Sequence, residues 1–200
     1  MSARRRKSYE DNVRRLAALA TVVAGVLAIW FILKSVPATR LAFDPAWIPE
    51  KPSDRWECIV IHHSASDAGG ATRFDAAHRA RGWDGLGYDF VIGNGTDTPD
   101  GTVEVSSRWQ RQKDGAHCKT PDEYYNQHGI GICLVGNFDN YDPTAAQMKS
   151  LQSVCAFLMR QFHIAPDHIF THGGVTHRTA CPGKRFELER FRNSMIALSR

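Results

Sequence analysis

The chain has 200 residues, a formal net charge of +4, and 42% hydrophobic and 23% charged residues, ordinary proportions for a globular protein with room for one domain and a real core. Six basic residues (Arg4, Arg5, Arg6, Lys7, Arg14 and Arg15) and two acidic ones lie within residues 1–15, so this tail carries the whole excess charge. The neutral remainder gives no support to a nucleic-acid-binding domain. The cysteines (Cys58, Cys118, Cys133, Cys155 and Cys181) are odd in number and contain no Cys-x-x-Cys pair, which excludes a disulfide framework.

Residues 16–33 (LAALATVVAGVLAIWFIL) carry no charge over eighteen positions, about 27 Å at helical rise and close to a bilayer's hydrocarbon thickness. Basic residues precede this run and only Lys34 and Arg40 follow closely. The pattern predicts a single-pass transmembrane anchor with a cytoplasmic N-terminus and an exported domain. The alternative is a signal peptide cleaved near Val36-Pro37-Ala38, giving a secreted domain, but the apolar run is longer than a typical signal core. The expected division is a basic tail over 1–15, an anchor over 16–33, a tether over 34–53 containing Pro37, Pro45, Pro49 and Pro52, and a domain over 54–200.

Within the domain, residues 57–62 read as a strand that ends in the pair His62-His63. A short helix is predicted over 71–81, ended by Gly82. Strands follow at 88–92 and 102–105, then a long functional loop over 106–126. The most apolar segment, GIGICLVG at 129–136, is the expected centre of the sheet. Asp142-Pro143-Thr144 opens the best soluble helix, whose stripe is Met148, Leu151, Cys155, Leu158, Met159 and Phe162. A strand at 168–172 and a helix at 186–198 complete the chain. The expected fold is a single α/β domain with a central mixed β-sheet flanked by helices, preceded by the N-terminal transmembrane helix.

Of nine histidines, His62, His117 and His172 stand at strand ends or in glycine-bearing loops, as does Cys181. Imidazole nitrogen and thiolate sulfur suit zinc, and a catalytic zinc site takes three protein ligands plus water. His62, His172 and Cys181 would supply such a set. The two histidines are far apart in sequence and the spacing to Cys181 is no general zinc signature, so structural roles for these residues stay open on this ground alone.

The blocks IVIHHSAS, GWDGLGYDFVIGNG, GAHCKTPDEYYNQHGIGICLVGNF and THGGVTHRTACPG occur in that order between about Trp56 and Phe186. Together they resemble the type 2 N-acetylmuramoyl-L-alanine amidases, a family that includes phage lysozyme-type amidases and peptidoglycan recognition proteins. The resemblance implies Zn2+ held by His62, His172 and Cys181, with Tyr88 as the tyrosine near the metal. It puts Thr179 where phage enzymes carry lysine and many recognition-protein amidases carry threonine. Cys133 stands where cytoplasmic muropeptide-recycling amidases have a glutamate. The implied activity is zinc-dependent hydrolysis of the amide between N-acetylmuramic acid and L-alanine, with peptidoglycan or muropeptides as partners. The alternative is a non-catalytic peptidoglycan-binding module of the same fold, which the retained Cys181 and Tyr88 disfavour.

One departure is that nine steps separate His172 from Cys181 where the family usually has eight. The extra residue is expected as a loop bulge within 173–178, with His177 a less favoured substitute ligand. His63 should turn to the opposite face of its strand. His117, in GAHCK, is read as touching the muramyl-peptide or as stabilising its loop. Trp109 with Arg108 and Arg111 is expected to line the groove, the arginines pairing with peptide carboxylates. Trp83 is read as packing rather than sugar stacking.

Overall fold

The structure is a computed structural model and describes residues 43–198. Its strands are β1 (Cys58–His63), β2 (Phe90–Ile92), β3 (Val103–Val105), β4 (Gly129–Leu134) and β5 (Ile169–Thr171). The helices are α1 (Ala71–Ala80), α2 (Ser107–Gln110), α3 (Tyr124–Gln127), α4 (Ala145–Phe162), α5 (His172–Thr176) and α6 (Leu188–Leu198).

The sheet order is β3-β2-β4-β1-β5. Every neighbouring pair is parallel except β2 with β3, so the sheet is mixed, as expected. The two six-residue strands β1 and β4 lie side by side at its centre and are buried at every position. Their register sets His62 beside Cys133 and Val60 beside Gly131.

The longest helix begins where its sequence offers a reciprocal cap. The Thr144 hydroxyl accepts from the Gln147 N–H at 3.0 Å, and the Gln147 side chain accepts from the Thr144 N–H at 3.1 Å. Pro143 therefore precedes the cap instead of occupying the first turn. From α4, Leu151, Val154, Cys155 and Leu158 pack against Ile59, Ile61, Phe90, Ile92, Ile130 and Ile132 to make the core. Each fully buried aliphatic or aromatic side chain of this kind contributes about 1.5–3 kcal/mol.

Three local expectations change. The 106–126 loop contains α2 and α3. The last strand stops at Thr171 because the Thr171 hydroxyl accepts from the Gly174 N–H at 3.0 Å, capping a helix that starts with His172. The expected tether is docked where it is described. Phe43 and Trp47 pack on Phe157, with ring centroids 5.3 and 5.8 Å away, and the Trp109 indole N–H donates to the Trp47 carbonyl at 2.7 Å. Among the described residues no helix is long and apolar enough to cross a membrane. The basic tail, the predicted anchor at 16–33 and the tether up to residue 42 lie outside the described residues.

Candidate metal centre and groove

Strand alternation sends the two adjacent histidines to opposite faces of the sheet. His63 faces the core side, its ring 5.9 Å from Phe138 and its Nδ1 accepting from the Phe138 N–H at 3.2 Å. His62 faces the other side and is buried. Cys181 reaches it because the loop after α5 folds back: the Gly173 N–H donates to the Cys181 carbonyl at 2.7 Å, and the Thr179 hydroxyl accepts from the Cys181 N–H at 3.1 Å. A Cβ at residue 173 would stand 2.4 Å from the Thr179 carbonyl oxygen, so this close approach requires glycine. The Cys181 sulfur also accepts from the His63 N–H at 3.4 Å.

One nitrogen each from His62 and His172 and the Cys181 sulfur lie within 4.8 Å of one another, a group that could hold a metal ion. The His62 Nδ1 is 3.8 Å from the sulfur. Two ligands of a tetrahedral zinc, at about 2.0 and 2.3 Å from it, stand roughly 3.5 Å apart, so the donor set fits such an ion in kind and in spacing. His177 does not join this group; it is exposed and closes α5 in a left-handed conformation, φ 53°. The segment expected to bulge is thus a helical turn with a left-handed stop.

Burial holds His62 well below the usual imidazole range, with His117, His172 and His63 adding to the effect, and it lowers His172 as well. Both rings are therefore neutral near pH 7 and present lone pairs. Burial pushes the Cys181 thiol up to about 12, so a cation at this point is what would draw its proton off.

Tyr88 lies with its ring 5.2 Å from that of His62. It packs against the cluster that contains Cys133, the residue paired with His62 in register, and burial raises its pKa well above the ordinary value. His117 is buried directly against His62, with Nδ1 3.0 Å from the His62 Nε2 and its own Nε2 3.2 Å from the Gly129 carbonyl. An open groove of about 690 Å³ runs over His172, Thr179 and His117 to Trp83, with the cations Lys119 and Arg178 along it.

Not every expected groove residue lies there. Trp109 is 0% exposed, ring-packed on Trp56 and Phe90 in the core. Arg108 is also buried and donates to the Leu86 carbonyl at 2.7 Å, to the Asp114 carbonyl and to Asp84, tying two loop segments together. Arg111 bonds back to Ser107 on its own helix. These three are structural, because the short α2 turns its tryptophan inward beneath the docked Trp47. Trp83, by contrast, is 40% exposed and lines the groove while also packing 4.5 Å from the His78 ring.

Sequence reasoning missed three features. One is the contact of His117 with His62. Another is the position of Cys133 beneath Tyr88. The third is Asp89, fully buried, with one oxygen accepting from the Gly131 N–H at 2.8 Å and the other without a hydrogen-bond partner. The available signal was glycine at 129 and 131, alternate positions on one face of a buried strand. A Cβ at residue 131 would meet the His117 ring at 2.5 Å, and glycine inside a strand marks such a close approach.

Residues 52–184 match the N-acetylmuramoyl-L-alanine amidase family. The endolysin of Enterobacteria phage T3 is 32% identical over 160 residues, covering 75% of this chain and 95% of that protein. The N-acetylmuramoyl-L-alanine amidase of Sus scrofa is 31% identical over 151 residues, covering 74% of this chain and 22% of that much longer protein. Among solved structures, the N-acetylmuramoyl-L-alanine amidase LysC from Clostridium intestinale superposes with a TM-score of 0.61 at 28% identity, covering 74% of this chain and 93% of that one.

These findings overturn the expected localisation of a single-pass membrane protein with an exported or secreted domain. No helix among the described residues is long and apolar enough to cross a membrane, and phage endolysins are among the chain's relatives. An uncharged run of eighteen residues sits at the lower limit for a span, and its hydropathy alone does not specify an anchor. With a mixed sheet of matching fold, a His-His-Cys cluster beside a groove and a match over residues 52–184, the chain belongs to the N-acetylmuramoyl-L-alanine amidase family and is an amidase.

Proposed function

We propose that this amidase uses zinc to hydrolyse the amide bond between N-acetylmuramic acid and L-alanine, with peptidoglycan or its muropeptides as substrate. The observation that carries the reading is the convergence of His62, His172 and Cys181 beside an open groove. Its support from similarity is that an endolysin and an N-acetylmuramoyl-L-alanine amidase are among the relatives. The catalytic domain spans 54–200, with residues 43–53 as its docked approach.

His62, His172 and Cys181 would hold the zinc, which when bound would supply Lewis acidity and an activated water. The chain's own groups do the rest. Neutral His62 and His172 and the thiolate of Cys181 are the ligands, and the backbone N–H of His63 steadies the sulfur. Tyr88, protonated and beside His62, donates its hydroxyl hydrogen to the carbonyl oxygen as negative charge develops there. Thr179, whose oxygen already accepts from the Cys181 N–H, keeps its own hydrogen free to orient water or the oxyanion. Lys119 and Arg178 meet the carboxylates of the stem peptide, the part first expected of Arg108. His117 borders the groove but is directed at His62.

The test is digestion of purified peptidoglycan with analysis of products by mass spectrometry. Free stem peptides with a new L-alanine amino terminus are expected from the wild type and none from Cys181→Ala. Binding without release by the wild type, or equal release by both, would sink the reading.

A further inference from the structure

We infer that His117 is a positioning residue that fixes which nitrogen of His62 carries the proton, so that the other presents its lone pair to the metal. This rests on the reading of His62 as a ligand and goes beyond it, since it assigns a device that prepares the ligand before any ion arrives.

The His117 Nε2 lies 3.2 Å from the Gly129 oxygen, and a carbonyl oxygen can only accept, so this nitrogen bears the hydrogen. A neutral imidazole has one N–H, and His117 is buried with only a ring nitrogen and a backbone carbonyl against its own nitrogens, no carboxylate to pair with a second proton. Its Nδ1 is therefore a bare acceptor. That atom stands 3.0 Å from the His62 Nε2, which must then be the donor. His62 is buried as well, and with its hydrogen on Nε2 its remaining nitrogen, Nδ1, has a free lone pair. Nδ1 is the atom 3.8 Å from the Cys181 sulfur, on the side where the ligand group converges.

The surroundings leave His117 no other arrangement. Its backbone N–H and that of Cys118 both donate to the Asn126 side-chain oxygen, at 3.0 and 2.9 Å, and the Asn126 amide donates to Glu123 at 2.8 Å. The ring packs closely against Gly115 and Gly131, where a Cβ at either position would stand 2.5 Å from it. A residue held this firmly transmits the direction of the Gly129 carbonyl to a ring more than fifty positions away in sequence. Partners of this kind, bonded to a ligand's far nitrogen, typically change metal affinity by about 10–100-fold when removed.

Two measurements on the full-length chain test the inference. Nitrogen-15 NMR of the metal-free protein near pH 7 reads the tautomers directly; both His62 and His117 are expected to be protonated on Nε2. Zinc affinity by competition with a chromophoric chelator then compares variants. His117→Phe should bind about 10–100-fold more weakly. His117→Gln should retain affinity within a few-fold, because its amide oxygen can accept from His62 and its amide N–H can donate to Gly129. A metal-free His62 protonated on Nδ1, or His117→Phe binding zinc as tightly as wild type, overturns the inference. If the wild type binds no zinc, the metal reading fails by itself, while the NMR result still decides the tautomers.

Discussion

The same strands build two sheet faces that obey different rules. Towards α4, β1 and β4 contribute Ile59, Ile61, Ile130 and Ile132, whose value is bulk. Towards the groove they contribute Val60, His62, Gly131 and Cys133, and the missing side chain at Gly131 leaves the space in which the His117 ring packs beside His62. His62 and His63 differ by one position and fall on either side of this divide. Stability is thus concentrated on one face, and the opposite face is free to hold buried imidazoles that add little to the fold.

Substitutions on each face should separate these properties. Ile132→Ala on the core face should cost about 2–5 kcal/mol of unfolding free energy in a denaturant titration, while the folded protein keeps its zinc stoichiometry. Tyr88→Phe, across the sheet, should lower kcat by about 100–1,000-fold, roughly 2.7–4 kcal/mol, with zinc affinity and denaturation midpoint little changed. Gly131→Ala joins the two faces: the new methyl collides with the His117 ring, so a stability loss of about 1–3 kcal/mol should come with weaker zinc binding.

The smallest effect concerns pH. In the metal-free protein the buried histidines of the groove face have depressed pKa values, His117 at about 4, so the unfolded chain binds more protons below about 6.5. Their contribution to stability is present above 6.5 and is lost as pH falls towards 4. Asp89 acts in the opposite sense: burial raises it to about 7, so its contribution is lost as pH rises from about 4 through 7. The two windows overlap and partly cancel. Asp89→Asn should therefore steepen the fall in urea midpoint between pH 6.5 and 4, by on the order of 1 kcal/mol over the window. An unchanged slope would show that Asp89 does not oppose the histidines.

The core face was the more legible one. Its apolar periodicities named β1, β4 and the α4 stripe, and alternation alone separated His62 from His63. The chain order of motifs also brought His62, His172 and Cys181 together as candidates. The groove face was harder to read because its contacts join loops without period. Nothing local to GAHCK says that His117 meets His62, and only Gly131, the second glycine of GIGIC, hints that a ring packs there. Trp109 and Arg108 misled for the complementary reason. An aromatic residue between arginines reads as a binding surface, yet α2 is one turn long, and a docked N-terminal segment covers the tryptophan. The strand expected to carry His172 ended one residue early because a threonine hydroxyl beside two glycines makes a helix cap, a signal easily outweighed by the apolar residues before it.

The central claim is that His62, His172 and Cys181 hold a zinc ion required for amide hydrolysis. Its most direct measurement is a zinc titration of the metal-stripped full-length chain, following stem-peptide release from peptidoglycan. Release should be absent without metal, rise to a plateau at one equivalent of zinc, and fail to return in Cys181→Ala at the same zinc concentration. Full release from the stripped protein, or full restoration in Cys181→Ala, would contradict the account.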